Sequence, residues 1–237
     1  MSRLRISALM VFVAVFCIGT CTLSGCGKKE KAPKKTTGAL EMKEAAQTGK
    51  EEIPQTPSTA PITEERVYYD FESDLNGWEV PLWALGKSDY IAEEEVVLSE
   101  ENASEGKSSM KVMTNFVSGK WNAALVEIQQ YLDLSRYRVI SADLYIPPDA
   151  PVGLKAKIIL TVGDSWKFVE MSRSVPLIPG KWVTISSNIE PGSYDWKRVI
   201  PDKNFAEDVR KVAIRIECNR KPDYSGPIYV DNIRVGR

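Results

Sequence analysis

Between Val67 and Val235, short runs of β-branched and aromatic residues recur between clusters of Gly, Pro, Asn and Asp, and no segment sustains the 3.6-residue apolar spacing of an amphipathic helix. A chain patterned this way hides its apolar side chains between sheets, as an all-β sandwich or barrel. The expected strands are Val67–Phe71, Val96–Leu98, Ser109–Thr114, Ala123–Gln130, Val139–Ile146, Ala156–Val162, Lys167–Met171, Trp182–Ser187, Val209–Cys218 and Ile228–Val235. Asn76-Gly77, Ser118-Gly119, Pro147-Pro148, Gly163-Asp164, Pro179-Gly180, Pro191-Gly192 and Ser225-Gly226 mark turns between them. These strands are enough for two sheets.

The aromatic residues place the boundary of this domain. All six Trp and all nine Tyr lie within residues 66–237. Residues 27–65 contain no aromatic residue, but seven Lys, seven Glu and four Pro, and cannot bury enough apolar surface to offset their ordering entropy. Residues 26–65 are therefore read as a disordered tether. Before it, Arg3 and Arg5 precede an apolar run from Ala8 to Ile18, the pattern of an export signal over residues 1–25. Leu23-Ser24-Gly25-Cys26 resembles the lipobox of bacterial lipoproteins, which implies cleavage before Cys26 and acylation of its thiol. The alternative is a signal with an incidental cysteine. Three acyl chains at about 0.8 kcal/mol per buried methylene make a permanent membrane anchor. The expected location is the cell envelope, and the outer membrane in a Gram-negative cell, because Gly27 and not Asp follows the cysteine.

Composition removes several function classes. The chain has no histidine, which excludes Ser-His-Asp, Cys-His and His-zinc chemistry. Its net charge is −1, and the 22 basic and 25 acidic residues of 66–237 leave that domain at −3, so no nucleic-acid partner is expected. Of the four cysteines, Cys17 and Cys21 fall in the signal and Cys26 is the acylation point. Cys218 then remains unpaired, in phase with a core face, and is read as a buried thiol.

Alternation sorts the strands into faces. Val126 and Ile128 point one way with Ile158, Leu160, Ile214 and Ile216, whereas Glu127, Gln129, Arg215 and Glu217 point the other. Trp166, Phe168 and Glu170 oppose Val169 and Met171. Aromatic rings among acids, amides and an arginine suit a sugar platform, since rings stack on C–H faces and polar groups meet hydroxyls. The binding residues expected are Trp121, Trp166, Phe168, Trp196, Glu127, Gln129, Arg215 and Glu217, with Trp83 behind them; the alternative for each Trp is packing under a loop. Trp78 and Trp182, each following a turn, are read as structural plugs.

Several landmarks occur in order: Asp70-Phe71-Glu72 with Gly77-Trp78, Glu105-Gly106-Lys107-Ser108-Ser109-Met110-Lys111-Val112, Leu132-Asp133-Leu134-Ser135-Arg136-Tyr137, Ser141-Ala142-Asp143-Leu144-Tyr145-Ile146-Pro147, Pro179-Gly180-Lys181-Trp182 and Gly226-Pro227-Ile228-Tyr229-Val230-Asp231-Asn232-Ile233. Together they resemble the jelly-roll carbohydrate-binding modules of the galactose-binding-like class attached to bacterial β-mannanases and other polysaccharide hydrolases. The resemblance implies a two-sheet antiparallel jelly-roll sandwich, a glycan across one sheet and no catalysis. It also implies a structural Ca²⁺ near the chain ends, held by Glu72 and Asp231 with Asp70 as a neighbour; the alternative is that these acids cap turns. Three functions stand open: binding of a poly- or oligosaccharide at the envelope, which the residues favour; a structural or assembly lipoprotein holding a protein partner there; and a small glycosidase or lyase using Glu127, Glu170 or Glu217.

Overall fold

The computed structural model describes residues 56–237. The strands are β1 (Glu65–Tyr69), β2 (Ala92–Ser99), β3 (Ser109–Phe116), β4 (Trp121–Leu132), β5 (Val139–Tyr145), β6 (Lys155–Val162), β7 (Lys167–Glu170), β8 (Val175–Pro176), β9 (Trp182–Asn188), β10 (Val209–Asn219) and β11 (Tyr224–Gly236), with one short helix α1 (Leu82–Leu85). Every expected strand is present, most of them extended by a few residues. β8 and α1 are additions: a two-residue strand and a single helical turn are too short to leave a periodic signal.

The strands form two antiparallel sheets. In the first the order is β2-β3-β11-β5-β9, with β1 also on β11. In the second it is β4-β10-β6-β7, with β8 on β6. The all-β two-sheet sandwich is as expected. Its core lies between the sheets, where Met110, Val112, Leu144, Ile146, Ile228 and Val230 of the first meet Val126, Ile158, Leu160, Ile214 and Ile216 of the second. Burying each large apolar side chain contributes roughly 1.5–3 kcal/mol. Phe71 and Trp78 close one end of this core with Tyr69, Trp78 standing edge-on to Tyr69 at 5.5 Å and to Phe71 at 6.2 Å. Trp78 is thus the plug that its place after Asn76-Gly77 suggested.

Cys218 is free and buried, in the core as read, and burial pushes its thiol above the ordinary range. The expected signal of residues 1–25, the acylation at Cys26 and the tether up to residue 55 lie outside the described residues. The last part of the expected tether is bound to the domain. Thr63 and Glu64 donate backbone N–H groups to the Arg237 carbonyl at 2.8 and 3.2 Å, and Arg138 donates to the Ser58 carbonyl at 2.6 Å. Polar composition predicts a solvated segment, but the unpaired backbone at the end of β11 recruits any extended neighbour. Among the described residues no helix is long and apolar enough to cross a membrane.

Candidate functional site

Antiparallel register arranges the outward side chains of the second sheet in rows. Ala123, Glu217 and Lys155 form one; Leu125, Arg215 and Lys157 the next; then Glu127, Ala213, Ile159 and Glu170; then Gln129, Lys211, Thr161 and Phe168. Glu127, Gln129, Arg215 and Glu217 therefore share one face, as alternation predicts. Alternation does not predict that much of this face is buried. Leu125, Ile159 and Ala213 form a small apolar floor, with Tyr90 packed on it.

Tyr90 arrives on a segment paired to the edge of β4, where Ile91 donates its N–H to the Ala123 carbonyl and Ala123 donates to that of Asp89, both at 2.9 Å. The same crossing carries α1, which begins after Pro81 and ends at Gly86. Trp83 of α1 stands edge-on to Tyr90 at 5.0 Å, and Tyr90 edge-on to Trp121 at 6.0 Å. These three rings form a wall along one side of the floor. The Lys87 ammonium lies 4.6 Å from the Trp83 ring centre and the Arg215 guanidinium 5.6 Å from that of Trp121.

Next to the apolar floor lies an ion cluster. Arg215 binds Glu170 and lies 3.1 Å from Glu217. Lys157 lies 3.8 Å from Glu170 and 3.6 Å from Glu217, and Lys197 reaches Glu170 at 2.6 Å. Ser174 donates its hydroxyl to Glu217, and Lys211 binds Glu127. Burial pushes the Glu170 carboxyl up, but Lys197, Arg215 and Lys157 together hold it below its ordinary value. The Arg215 Nε–H is buried without an acceptor among the described residues. Beyond Arg215, Trp121, Gly153, Lys155, Ser174, Glu217 and Lys221 line a pocket of about 600 Å³.

The opposite end of the face carries a second aromatic group. Phe168 is 53% exposed and Trp166 40% exposed. Trp166 follows the Gly163-Asp164 turn in a left-handed conformation (φ 52°) and stands edge-on to Tyr131 at 6.4 Å. The Arg210 guanidinium lies 5.2 Å from the Trp166 ring centre and 5.4 Å from that of Tyr131. Trp121 and Gln129, whose row ends on Phe168, are eight residues apart on β4, about 26 Å at 3.3 Å per residue. Trp121, Trp166 and Phe168 thus share a face but occupy its two ends.

Trp196 is a correction. It is 3% exposed, packs on Phe205, and donates its Nε1–H to the Asn188 carbonyl at 2.7 Å. It pairs with Met171, and directly opposed residues point to the same side. Since Met171 faces the core, so does Trp196, and its neighbour Lys197 turns outward to Glu170. The alternation argument never reached Trp196 because it lies outside the strand pattern. Tyr90, Tyr131, Lys155, Lys197 and Lys221 are members of the face that sequence reasoning missed. Lys155 directly precedes the expected strand Ala156–Val162 in phase with Lys157, and Tyr131 directly follows the expected strand Ala123–Gln130 in phase with Gln129; continuing the alternation by one residue is the signal that could have found these two.

The acids expected to hold a metal lie at the other sheet. Asp70, Glu72 and Asp231 line one pocket of about 240 Å³, together with Glu105, Gly106 and Asn232. Glu72 accepts the backbone N–H groups of Lys107 at 2.9 Å and Ser108 at 3.0 Å, which lower its pKa. It rests on Gly106 so closely that a Cβ there, at φ +66°, would lie 2.2 Å from Glu72 Oε1. Asp231 is 1% exposed. Burial pushes its carboxyl up, against N–H donors from Ser104, Asn232 and Glu105. Asp143, opposite it in register, takes the Arg234 guanidinium at 2.9 Å, whereas Asp231 has no cationic side chain among the described residues. The donor set is hard oxygen throughout, which suits Ca²⁺. As the side chains stand, no three acids among the described residues converge on a point.

The sequence matches the family model described as "Mannanase, galactose-binding domain-like" over residues 69–232. In three dimensions the chain is similar to the crystal structure of Caldicellulosiruptor saccharolyticus CBM27-1 in complex with mannohexaose, at 18% identity and a TM-score of 0.51, with 73% of this chain and 97% of that one covered. It is similar also to a non-crystalline cellulose specific carbohydrate-binding module, CBM28, at 15% identity and a TM-score of 0.52, with 74% and 96% covered. Both likenesses concern the β-sandwich. No curated protein sequence matches the chain.

A carboxyl held below its ordinary value stabilises the fold above the unfolded pKa, and that contribution is lost as pH falls through the folded pKa. Glu170→Gln is therefore expected to lower unfolding free energy by about 2 kcal/mol at neutral pH. The gap should narrow as pH falls below the ordinary glutamate range and close where the folded wild-type carboxylate, held below that range, takes its proton. Urea titrations across pH test this, and equal stability at neutral pH would show that the cluster contributes nothing.

Proposed function

The chain belongs to the mannanase galactose-binding-like domain family, and from that premise we propose that it binds a poly- or oligosaccharide, without cleaving it, across the outer face of its second sheet. The observation that carries this reading is the Trp83–Tyr90–Trp121 wall beside polar groups whose positions are already fixed by ion pairs. Sugar rings stack on such a wall at little entropic cost, because the rings have few rotors and neighbouring rings hold them in place. The unpartnered Arg215 Nε–H is a donor for an incoming oxygen. Similar folds are seen with a mannohexaose in CBM27-1 and with specificity for non-crystalline cellulose in CBM28, which supports a glycan as the ligand.

Catalysis does not suit these carboxylates. A glycosidase needs one acid that keeps its proton near neutral pH, and Lys197, Arg215 and Lys157 hold Glu170 ionised. Glu217 is bound by Arg215 and Lys157 as well.

The proposal extends to two further features. One is a Ca²⁺ in the Asp70, Glu72 and Asp231 pocket, where it would offset the buried charge of Asp231 and tie the Asp70-Phe71-Glu72 turn to β11. A carboxylate offers about four lone-pair sites, so Glu72 and Asp231 can keep their backbone donors and still face a cation. The other is anchorage through acylated Cys26, which places the domain at the cell envelope at the end of a tether.

Affinity electrophoresis in soluble β-mannan, β-glucan and xylan is expected to show retardation, weakened about tenfold by Trp121→Ala with the thermal midpoint unchanged. Migration unaffected by every polysaccharide would sink the reading. Millimolar Ca²⁺ should raise the thermal midpoint relative to a chelator, and do so less in Asp231→Asn; identical midpoints remove the metal. Radiolabelled palmitate should enter the wild-type protein in cells and not Cys26→Ser, and equal labelling places the lipid elsewhere.

A further inference from the structure

At the Trp121 end of the binding face the charges do not balance. The ion cluster and the pocket it opens into hold five cations, Lys155, Lys157, Lys197, Arg215 and Lys221, against the carboxylates of Glu170 and Glu217. Both carboxylates are already engaged. Glu170 is bound by Lys197 and Arg215, and Glu217 has Arg215 at 3.1 Å, Lys157 at 3.6 Å and the Ser174 hydroxyl. Lys155 and Lys221 line the pocket, are exposed, and make no ion pair among the described residues. This positive end belongs to a domain whose net charge is −3, so counter-charge for the whole molecule lies elsewhere on it.

The backbone holds the two lysines to the same pocket. Gly153 adopts φ +118°, and a Cβ there would lie 3.3 Å from Pro222 Cδ and 3.6 Å from the Lys221 carbonyl. A glycine at this point lets the Lys221-Pro222 loop close against the start of β6, where Lys155 stands. Trp121 lines the pocket from the other side, with the Ser174 and Asn219 side chains as neutral hydrogen-bonding groups.

We infer that this pocket takes an acidic sugar: one unit of the bound polysaccharide carries a carboxylate, a uronate, which meets Lys155 and Lys221 while its ring lies on Trp121. The inference rests on the glycan-binding reading and names the substrate class at one end of that site. A bare polyanion fits the lysines but leaves the Trp121 ring uncovered. A neutral sugar fits the ring but leaves two ammonium groups facing a pocket without an anion.

The test titrates the full-length protein by calorimetry with polygalacturonate and with the same polymer fully methyl-esterified, which keeps the rings and removes the charge. At low ionic strength the acidic polymer is expected to bind about tenfold more tightly, two partly screened ion pairs being worth that much, and the preference should shrink as salt is added. Lys155→Ala/Lys221→Ala should lose the preference and still bind the methyl ester, with an unchanged thermal midpoint because both side chains are exposed. Equal affinity for the two polymers, or a preference that survives in the double variant, overturns the inference and leaves glycan binding standing. Displacement of polygalacturonate by polyaspartate at equal charge concentration overturns it in favour of a bare polyanion. Failure to bind any polysaccharide overturns both the inference and the reading beneath it.

Discussion

The outward residues of β10 make sense only from its place in the second sheet. β10 pairs along nearly its whole length with β4 on one side and β6 on the other, so its alternate side chains have no freedom of direction. Val212, Ile214, Ile216 and Cys218 are driven between the sheets by the cost of exposing them. Ala213, Arg215 and Glu217 are then forced to the opposite face, between the outward side chains of both neighbours. There the crossing that carries Tyr90 packs on Leu125, Ile159 and Ala213, and the segment paired at Met171 turns Lys197 onto Glu170. Charges placed outward by strand geometry thus become buried by the loops laid beside the sheet.

Burial explains why these charges are so densely cross-linked. An unpaired ion in that position costs several kcal/mol, and a buried pair recovers this only with good geometry and further hydrogen bonds. Arg215 and Lys157 bridge Glu170 and Glu217, and Lys197 adds a third contact to Glu170, so that neither carboxylate depends on one partner. An apolar patch of the same volume would serve stability as well or better. What the ions add is a stiff polar surface beside a stiff aromatic wall, which lowers the ordering cost of a ligand whose rings and hydroxyls need both.

The same rule of alternation explains what could be read from the sequence. Glu127, Gln129, Arg215 and Glu217 are legible as one face because each sits inside a long strand whose core set is unmistakable. Trp166 and Phe168 were placed by their phase with Val169, and they lie on that face, at the end remote from Trp121. The direction of Trp196 is not legible in the sequence, because it is set by a single bridge to Met171 made by a segment with no strand pattern of its own. Tyr90 is illegible for the same reason: only its pairing beside Ala123 carries it over the floor. Asp70, Glu72 and Asp231 came together from distant positions because order along the chain resembled a known module; nothing in their spacing alone brings them together.

By itself the sequence determined the all-β sandwich, ten of the eleven strands, the inward and outward sets of each long strand, and a buried Cys218. These depend on local periodicity and on the free energy of hiding apolar surface, and both can be counted along the chain. Only the tertiary structure decided which outward residues are buried, that the aromatic residues divide between two ends of one face, that residues 58–64 join the domain, and that Lys155 and Lys221 line one pocket. Those facts depend on which loop crosses which strand. Such crossings are long-range pairings, set by the packing of the whole sandwich and by no short stretch of sequence.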